Sequence, residues 1–248
     1  MEKSEQFKPL YQELVTCFRD EKWEAKIYPF FIQEGKKFPM SSRKILFVGK
    51  SVNGWVTNST DIEILFNGDS EGKRKIVNRT DEMSWVVKPN AKRKGVKTYK
   101  HSSFWRLIYL ITKSLLPKEK SKEWYDYIAW SNLYKISPKK GNPTDEMKKL
   151  QQEVCCKILD KEIEILQPKF IIFLTSGWEK FYINHLGIDL SSFSTVSWNK
   201  KNYKLRYHTI SGITYILSQH PQGKHEKTHG NKIIEIVNLN ENLTPAST

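Results

Sequence analysis

Four short apolar runs constrain this chain more than any other feature: KILFVG (44–49), YIAWSNL (127–133), KFIIFLT (169–175) and ITYILSQ (213–219). Each is too short for a stable helix and lacks polar alternation, the pattern of a strand covered on both faces. A further run, YKLRYHT (203–209), alternates and reads as a hairpin partner of the fourth across Ser211-Gly212. Helix signals lie between the runs. SSFWRLIYLITKSLL (102–116) has serine caps and apolar residues three and four apart. TDEMKKLQQEVCCKILDKEIEILQ (144–167) opens on Thr144, carries acids in its first turn and stops before Pro168. SGWEKFYINHL (176–186) starts another helix, and 229–239 closes the fold with one. Alternating strands and helices predict an α/β chain: a three-layer α/β/α sandwich on a four-stranded, mainly parallel sheet. Residues 1–248 are expected to form one domain. The polar, basic stretch from about 56 to 101 reads as an insertion or lid.

Charge narrows the partner. With 41 Lys+Arg against 27 Asp+Glu, the net charge of +14 predicts a polyanion bound with salt-dependent affinity. In the insertion, Trp85 and Tyr99 sit among Lys88, Lys92, Arg93, Lys94, Lys97 and Lys100, which joins stacking to charge as a nucleic-acid surface requires. Cys17, Cys155 and Cys156 form no CxxC pair, which fits a reducing compartment and argues against a cysteine-ligated zinc or iron–sulfur site. MEKSEQFKPLYQELVTCF lacks the apolar core of a signal peptide, and no run approaches a membrane span. The expectation is a cytoplasmic monomer that binds DNA, with no cofactor, metal or membrane partner.

Parallel sheets place their sites at the carboxyl ends of strands. The residues there are Lys50-Ser51-Val52-Asn53, Asn132 with Lys135, Thr175-Ser176, and His220 with Pro221.

On these residues the chain resembles the uracil-DNA glycosylase superfamily, in the right order from about residue 44 to 237. FVGKSVNGW stands where that family has a strand and a glycine-initiated, water-activating motif. SSFWRLIYLI looks like its Phe-Trp helix, and SNLYKISPKKGNPT resembles its Asn-(apolar)-x-Lys-x-x-Pro motif. EIEILQPKFIIFLT matches its Pro-Lys strand entry, and SQHPQ its His-Pro motif. The resemblance implies an enzyme that extrudes a nucleotide and hydrolyses its N-glycosidic bond with activated water, without a covalent lysine intermediate, leaving an abasic site. It gives His220 the role of donor to the oxyanion of the leaving base and Asn132 that of reader of the Watson–Crick edge. Gly49 and Asn53 would line the base pocket. Tyr99, Phe66 or Phe104 would stack on the base. DNA would be gripped by Lys50, Lys135, Lys139 and Lys140, by Lys224, His225 and Lys227 after the histidine, and by Lys94 and Lys97 of the insertion.

The departures from the family point to a substrate. Ser51 occupies the place of the family's water-orienting Asp or Asn, and a hydroxyl positions water but is a poor base. Asn53 occupies the place of the tyrosine that shuts out C5 substituents. A two-residue slip makes Asn53 the water-orienting amide instead, and Asp61 or Glu63 are further candidates for a displaced group. Without a slip, the open gate implies a C5-modified cytosine, hydroxymethylated or glucosylated, of the kind found in phage DNA. Anti-phage glycosylases that remove such bases resemble this superfamily. Uracil repair and a catalytically inactive DNA-binding module are the alternatives. The usual apolar wedge is missing from PQGKHEKTHG, so wedging is expected from Trp85 and Tyr99.

Overall fold

A computed structural model describes residues 3–55, 58–68, 83–90, 93–199 and 203–241. The strands are β1 (Tyr28–Pro29), β2 (Gln33–Glu34), β3 (Ile45–Gly49), β4 (Pro89–Asn90), β5 (Arg93–Lys97), β6 (Ile128–Asn132), β7 (Ile136–Ser137), β8 (Phe170–Leu174), β9 (Ser194–Trp198), β10 (Tyr203–Ile210) and β11 (Ile213–Ser218). The helices are α1 (Lys3–Asp20), α2 (Ile62–Asn67), α3 (Ser103–Leu115), α4 (Asp145–Leu166), α5 (Lys180–His185) and α6 (Glu226–Glu241).

The main sheet is mixed and seven-stranded, in the order β2-β6-β3-β8-β11-β10-β9, and helices flank it. This corrects the expected four-stranded sheet. The four apolar runs are all strands, and β3, β6 and β8 are buried at every residue. Parallel pairing joins β3 to β8 and β8 to β11, with Phe47 opposite Ile172 and Ile172 opposite Ile216. The antiparallel β10–β11 hairpin forms as expected, with Ile210 opposite Ile213. Two edge strands carry no sequence signal, for physical reasons. β9 is exposed along most of its length, so STVSW has no apolar run, and β2 has only two residues.

The described residues gather into two compact units. The first draws on Met1–Gln33, Gly49–Thr80 and Ser131–Gln167, the second on Glu34–Val48, Asp81–Trp130 and Pro168–Thr248. The expected insertion or lid spans residues 56–101. Its residues 56–57, 69–82 and 91–92 lie outside the described part, Lys92 among them.

In the first unit α1 packs on α4. Phe7, Tyr11, Leu14, Val15 and Phe18 form the buried stripe of α1, a helix not expected at the start of the chain. Thr144 caps α4 by accepting the Met147 N–H at 3.2 Å, and Gln167 ends it in the left-handed conformation, in line with the predicted start and stop.

In the second unit α3 packs on α6, and Arg106 of α3 forks onto the Glu226 carboxylate with its Nε at 2.8 and 3.0 Å. Trp85, Trp105, Trp130 and Phe104 form an aromatic cluster, with Trp105 and Trp130 centroids 4.9 Å apart. Just past β2, Gly35 donates to the Ile128 carbonyl at 2.9 Å, so close to Tyr125–Asp126 that a Cβ would lie 2.4 Å from the Tyr125 oxygen. Because the obstruction is backbone, Gly35→Ala is expected to cost about 1–3 kcal/mol, read as a lower urea midpoint with an unchanged slope.

Candidate functional site

The segment after β6, in the first unit, is held on every side. Leu133 and Tyr134 donate their N–H groups to the carbonyls of Gly49 and Lys50, at 2.9 and 3.0 Å. The Lys135 carbonyl accepts from Phe30, and Ile136 exchanges two bonds with the Gln151 side chain of α4, at 2.8 and 2.9 Å. β7 pairs with β1, Ile136 opposite Pro29. Asn132 opens this segment and is 1% exposed. Its Nδ2 is buried with no hydrogen-bond partner, and the Oγ of Ser51 is in the same condition. Leaving a buried donor unmade costs about 1–3 kcal/mol.

The Gly49–Gly54 loop is thus joined to the Asn132 segment by backbone bonds. Gly54 is left-handed (φ +70°), and a Cβ there would lie 3.0 Å from the Lys139 carbonyl oxygen. Lys139 and Lys140 are exposed beyond it, as is Asn53, while Lys50 is half-buried.

Lys135 requires a correction. Its side chain is fully buried, and Nζ donates to Ser131 Oγ at 2.6 Å and to the Glu162 carboxylate at 2.8 and 2.9 Å. Ser131 in turn donates to Glu162 at 2.6 Å. The ammonium is unavailable to a phosphate. Burial pushes the Glu162 carboxyl up, opposed by the Lys135 charge and the bonds from Lys135 and Ser131. Nearby, Cys155 accepts the Lys135 backbone N–H, and burial pushes its thiol up to about 12, which makes it inert as a nucleophile. Glu162 was not among the expected residues, yet its signal is present: the buried stripe of α4 runs Gln151, Cys155, Ile158, Glu162, Leu166, and a carboxylate there demands a buried cation.

His220 lies in the second unit, half-buried in the turn after β11. Its backbone N–H donates to Ser176 Oγ at 2.7 Å, and its Nδ1 accepts the Gln222 N–H at 3.3 Å. A neutral ring with an accepting Nδ1 carries its proton on Nε2. Phe104 lies nearly parallel to the ring, centroids 6.3 Å apart.

The other expected contacts divide. Phe66 is 7% exposed and packs edge-on against Tyr11 and Phe31, a core position rather than a stacking face. Tyr99 packs against Tyr109 at 4.8 Å and Trp124 at 5.8 Å. His225 caps α6, its Nδ1 accepting the Thr228 N–H at 3.3 Å, and so has a structural duty. Lys224 lies over the Tyr203 ring at 5.1 Å, and Lys227 and Lys97 are exposed. Lys94 belongs to β5, but its side chain is outside the described part. Asp61 caps α2 through Glu63 and Ile64, at 2.8 and 3.2 Å, and Glu63 is 3.7 Å from Lys8, so neither is set up as a displaced base. Among the described residues, no three His, Cys, Asp or Glu side chains group as metal ligands, and no helix is long and apolar enough to cross a membrane.

One buried histidine was not expected. His229 of α6 stacks on Trp198 (4.3 Å, 10°) and shares a 2.6 Å bond with Ser218 Oγ. Burial, with lesser contributions from Lys224 and His220, lowers its pKa to about 3. Its position on one face with Ile233 and Ile236 is the signal in the sequence.

In class, the chain is an α/β protein on a mixed seven-stranded sheet flanked by helices. No protein-family model matches it, and no curated protein matches its sequence.

Two outcomes follow from these buried groups. Glu162→Ala should cost about 3–5 kcal/mol by stranding the Lys135 charge, and pairing it with Lys135→Met should recover most of that loss in urea unfolding. His229 stays neutral when folded but protonates near pH 6.5 when unfolded, so its contribution is complete above pH 6.5 and drains away as the pH falls towards 3. Between pH 7 and 4 the loss should approach about 3 kcal/mol, and His229→Phe should flatten that slope in denaturation curves.

Proposed function

We propose that this chain is a monofunctional DNA N-glycosylase that removes a C5-modified cytosine, hydroxymethylated or glucosylated, from DNA of the phage type. The observation that carries the reading is the buried, unpartnered Nδ2 of Asn132 at the carboxyl end of β6. A donor held there suits an acceptor on the Watson–Crick edge of a flipped pyrimidine, N3 of cytosine or O4 of uracil. Ser51 Oγ, also buried without a partner, suits the water.

In the reaction, water adds to C1′ as the N-glycosidic bond breaks, and the bonding pair leaves with the base. Negative charge collects on O2 of the base, which calls for a hydrogen-bond donor, the role that the family resemblance gives His220, and the water's proton passes to the base or to solvent. Ser51 orients water without deprotonating it, so rate would come chiefly from stabilising the leaving group. The exposed amide of Asn53 favours a polar C5 substituent over a packed methyl. The net charge of +14 favours DNA.

The missing carboxylate at Ser51 specifically favours a second reading, an inactive DNA-binding module. One assay separates the readings. Duplexes containing uracil, hydroxymethylcytosine or glucosylated hydroxymethylcytosine are incubated with the protein, and abasic sites are cleaved with alkali. Strand breaks are expected at the modified cytosines. His220→Ala and Asn132→Ala should each slow excision about 10²–10³-fold, with His220→Ala leaving DNA affinity unchanged. Breaks at uracil alone would overturn the substrate, and binding without breaks would favour the inactive module.

A further inference from the structure

Beneath His220 is a backbone conformation that a serine has no steric reason to adopt. β8 ends at Leu174, Thr175 is fully buried, and Ser176 then turns left-handed at φ +57°, followed by Gly177 at +91°. A glycine at 176 would meet no penalty, whereas a Cβ does. The strain is held in place by surrounding bonds. The N–H groups of Thr175 and Ser176 both donate to the Ser218 carbonyl, at 3.2 and 3.0 Å. Glu179, 5% exposed, accepts from the Thr175 hydroxyl and from the Gly177 N–H at 2.9 Å. Burial raises the Glu179 carboxyl, and those bonds with the Arg206 charge work against it.

The turn delivers one group outward, the Ser176 hydroxyl, which accepts the His220 N–H at 2.7 Å. With the Gln222 N–H on Nδ1, the backbone and the ring rotation of His220 are both fixed. We propose that Ser176, braced by Glu179, is a positioning residue that holds His220 with its Nε2–H aimed for donation. This rests on the reading of His220 as the donor to the leaving base. The serine is kept in a glycine conformation because its hydroxyl is the latch.

Ser176→Gly tests this, because it relieves the strain and removes the latch in one change. Stability and catalysis should move in opposite directions. The thermal midpoint should hold or rise by about 1–3 °C, while single-turnover excision falls about 10–100-fold at nearly constant DNA affinity. In nitrogen NMR of the imidazole, His220 should change from a mainly Nε2-protonated ring to a mixture of tautomers. An unchanged excision rate, or a rate that falls only together with the thermal midpoint, would overturn the latch. Should the unaltered protein excise none of the three bases, the glycosylase reading has failed. The imidazole spectrum then decides the latch by itself: a tautomer shift in Ser176→Gly upholds it, and an unchanged spectrum overturns it.

Discussion

The buried Lys135–Glu162–Ser131 triad is the constraint on which the first unit depends. Burying an ammonium and a carboxylate costs several kcal/mol for each ion, regained only where geometry and extra hydrogen bonds are good. Here both charges are fully buried, and the serine hydroxyl accepts from one partner and donates to the other. The arrangement tolerates little displacement, because a shift of an ångström would leave a charge unpaired in the core. Ser131 immediately precedes Asn132, and Lys135 lies three residues after it. The triad thus brackets the amide whose buried nitrogen has no partner and pins its backbone to α4. Net stability from such a group is small; rigidity of the bracketed segment is what it contributes.

Legibility in the sequence followed burial. The strands covered on both faces, β3, β6, β8 and β11, stood out because a short, continuous apolar run fits few places other than the middle of a sheet. The edge strand β9 did not, since only its last residue is buried and STVSW suits a loop equally well. The helix α1 is a different case. Phe7, Tyr11, Leu14 and Phe18 carry a plain helical spacing, but the polar residues between them keep the segment from standing out beside the apolar runs.

The site followed a different rule. Strand ends pointed to Asn132, Ser51 and His220, and two of these hold buried polar atoms without partners. A residue type, however, does not reveal which of its possible duties it performs. Lys135 looked like a phosphate contact because it follows Asn132 at a strand end, in a motif resembling Asn-(apolar)-x-Lys-x-x-Pro. Its partner lay 27 residues away on a helix, and no local pattern joins them. Phe66 looked like a stacking face and is core, and His225 looked like a phosphate contact and is a cap. Each of these depends on long-range packing or on a ring nitrogen's orientation.

The two units show a shared physical logic. In each, a polar group stands at or just past the carboxyl end of a strand and is fixed by buried polar partners that chain entropy alone would not assemble. In the first, the partners are the ion pair and Gln151; in the second, Glu179 and the Ser218 carbonyl. The cost is visible in both, as unpartnered donors at Asn132 and Ser51 and as a left-handed serine at 176. Such costs persist where function needs a rigid arrangement before a ligand arrives. In the glycosylase proposed above they would matter more, because a serine at position 51 is a weak base. A site that cannot activate its nucleophile strongly must lower the barrier from the leaving-group side, and a hydrogen bond to a developing oxyanion is effective only when its donor is already aimed. Rigid support for His220 is therefore the feature that a Ser51-bearing glycosylase would have most reason to keep.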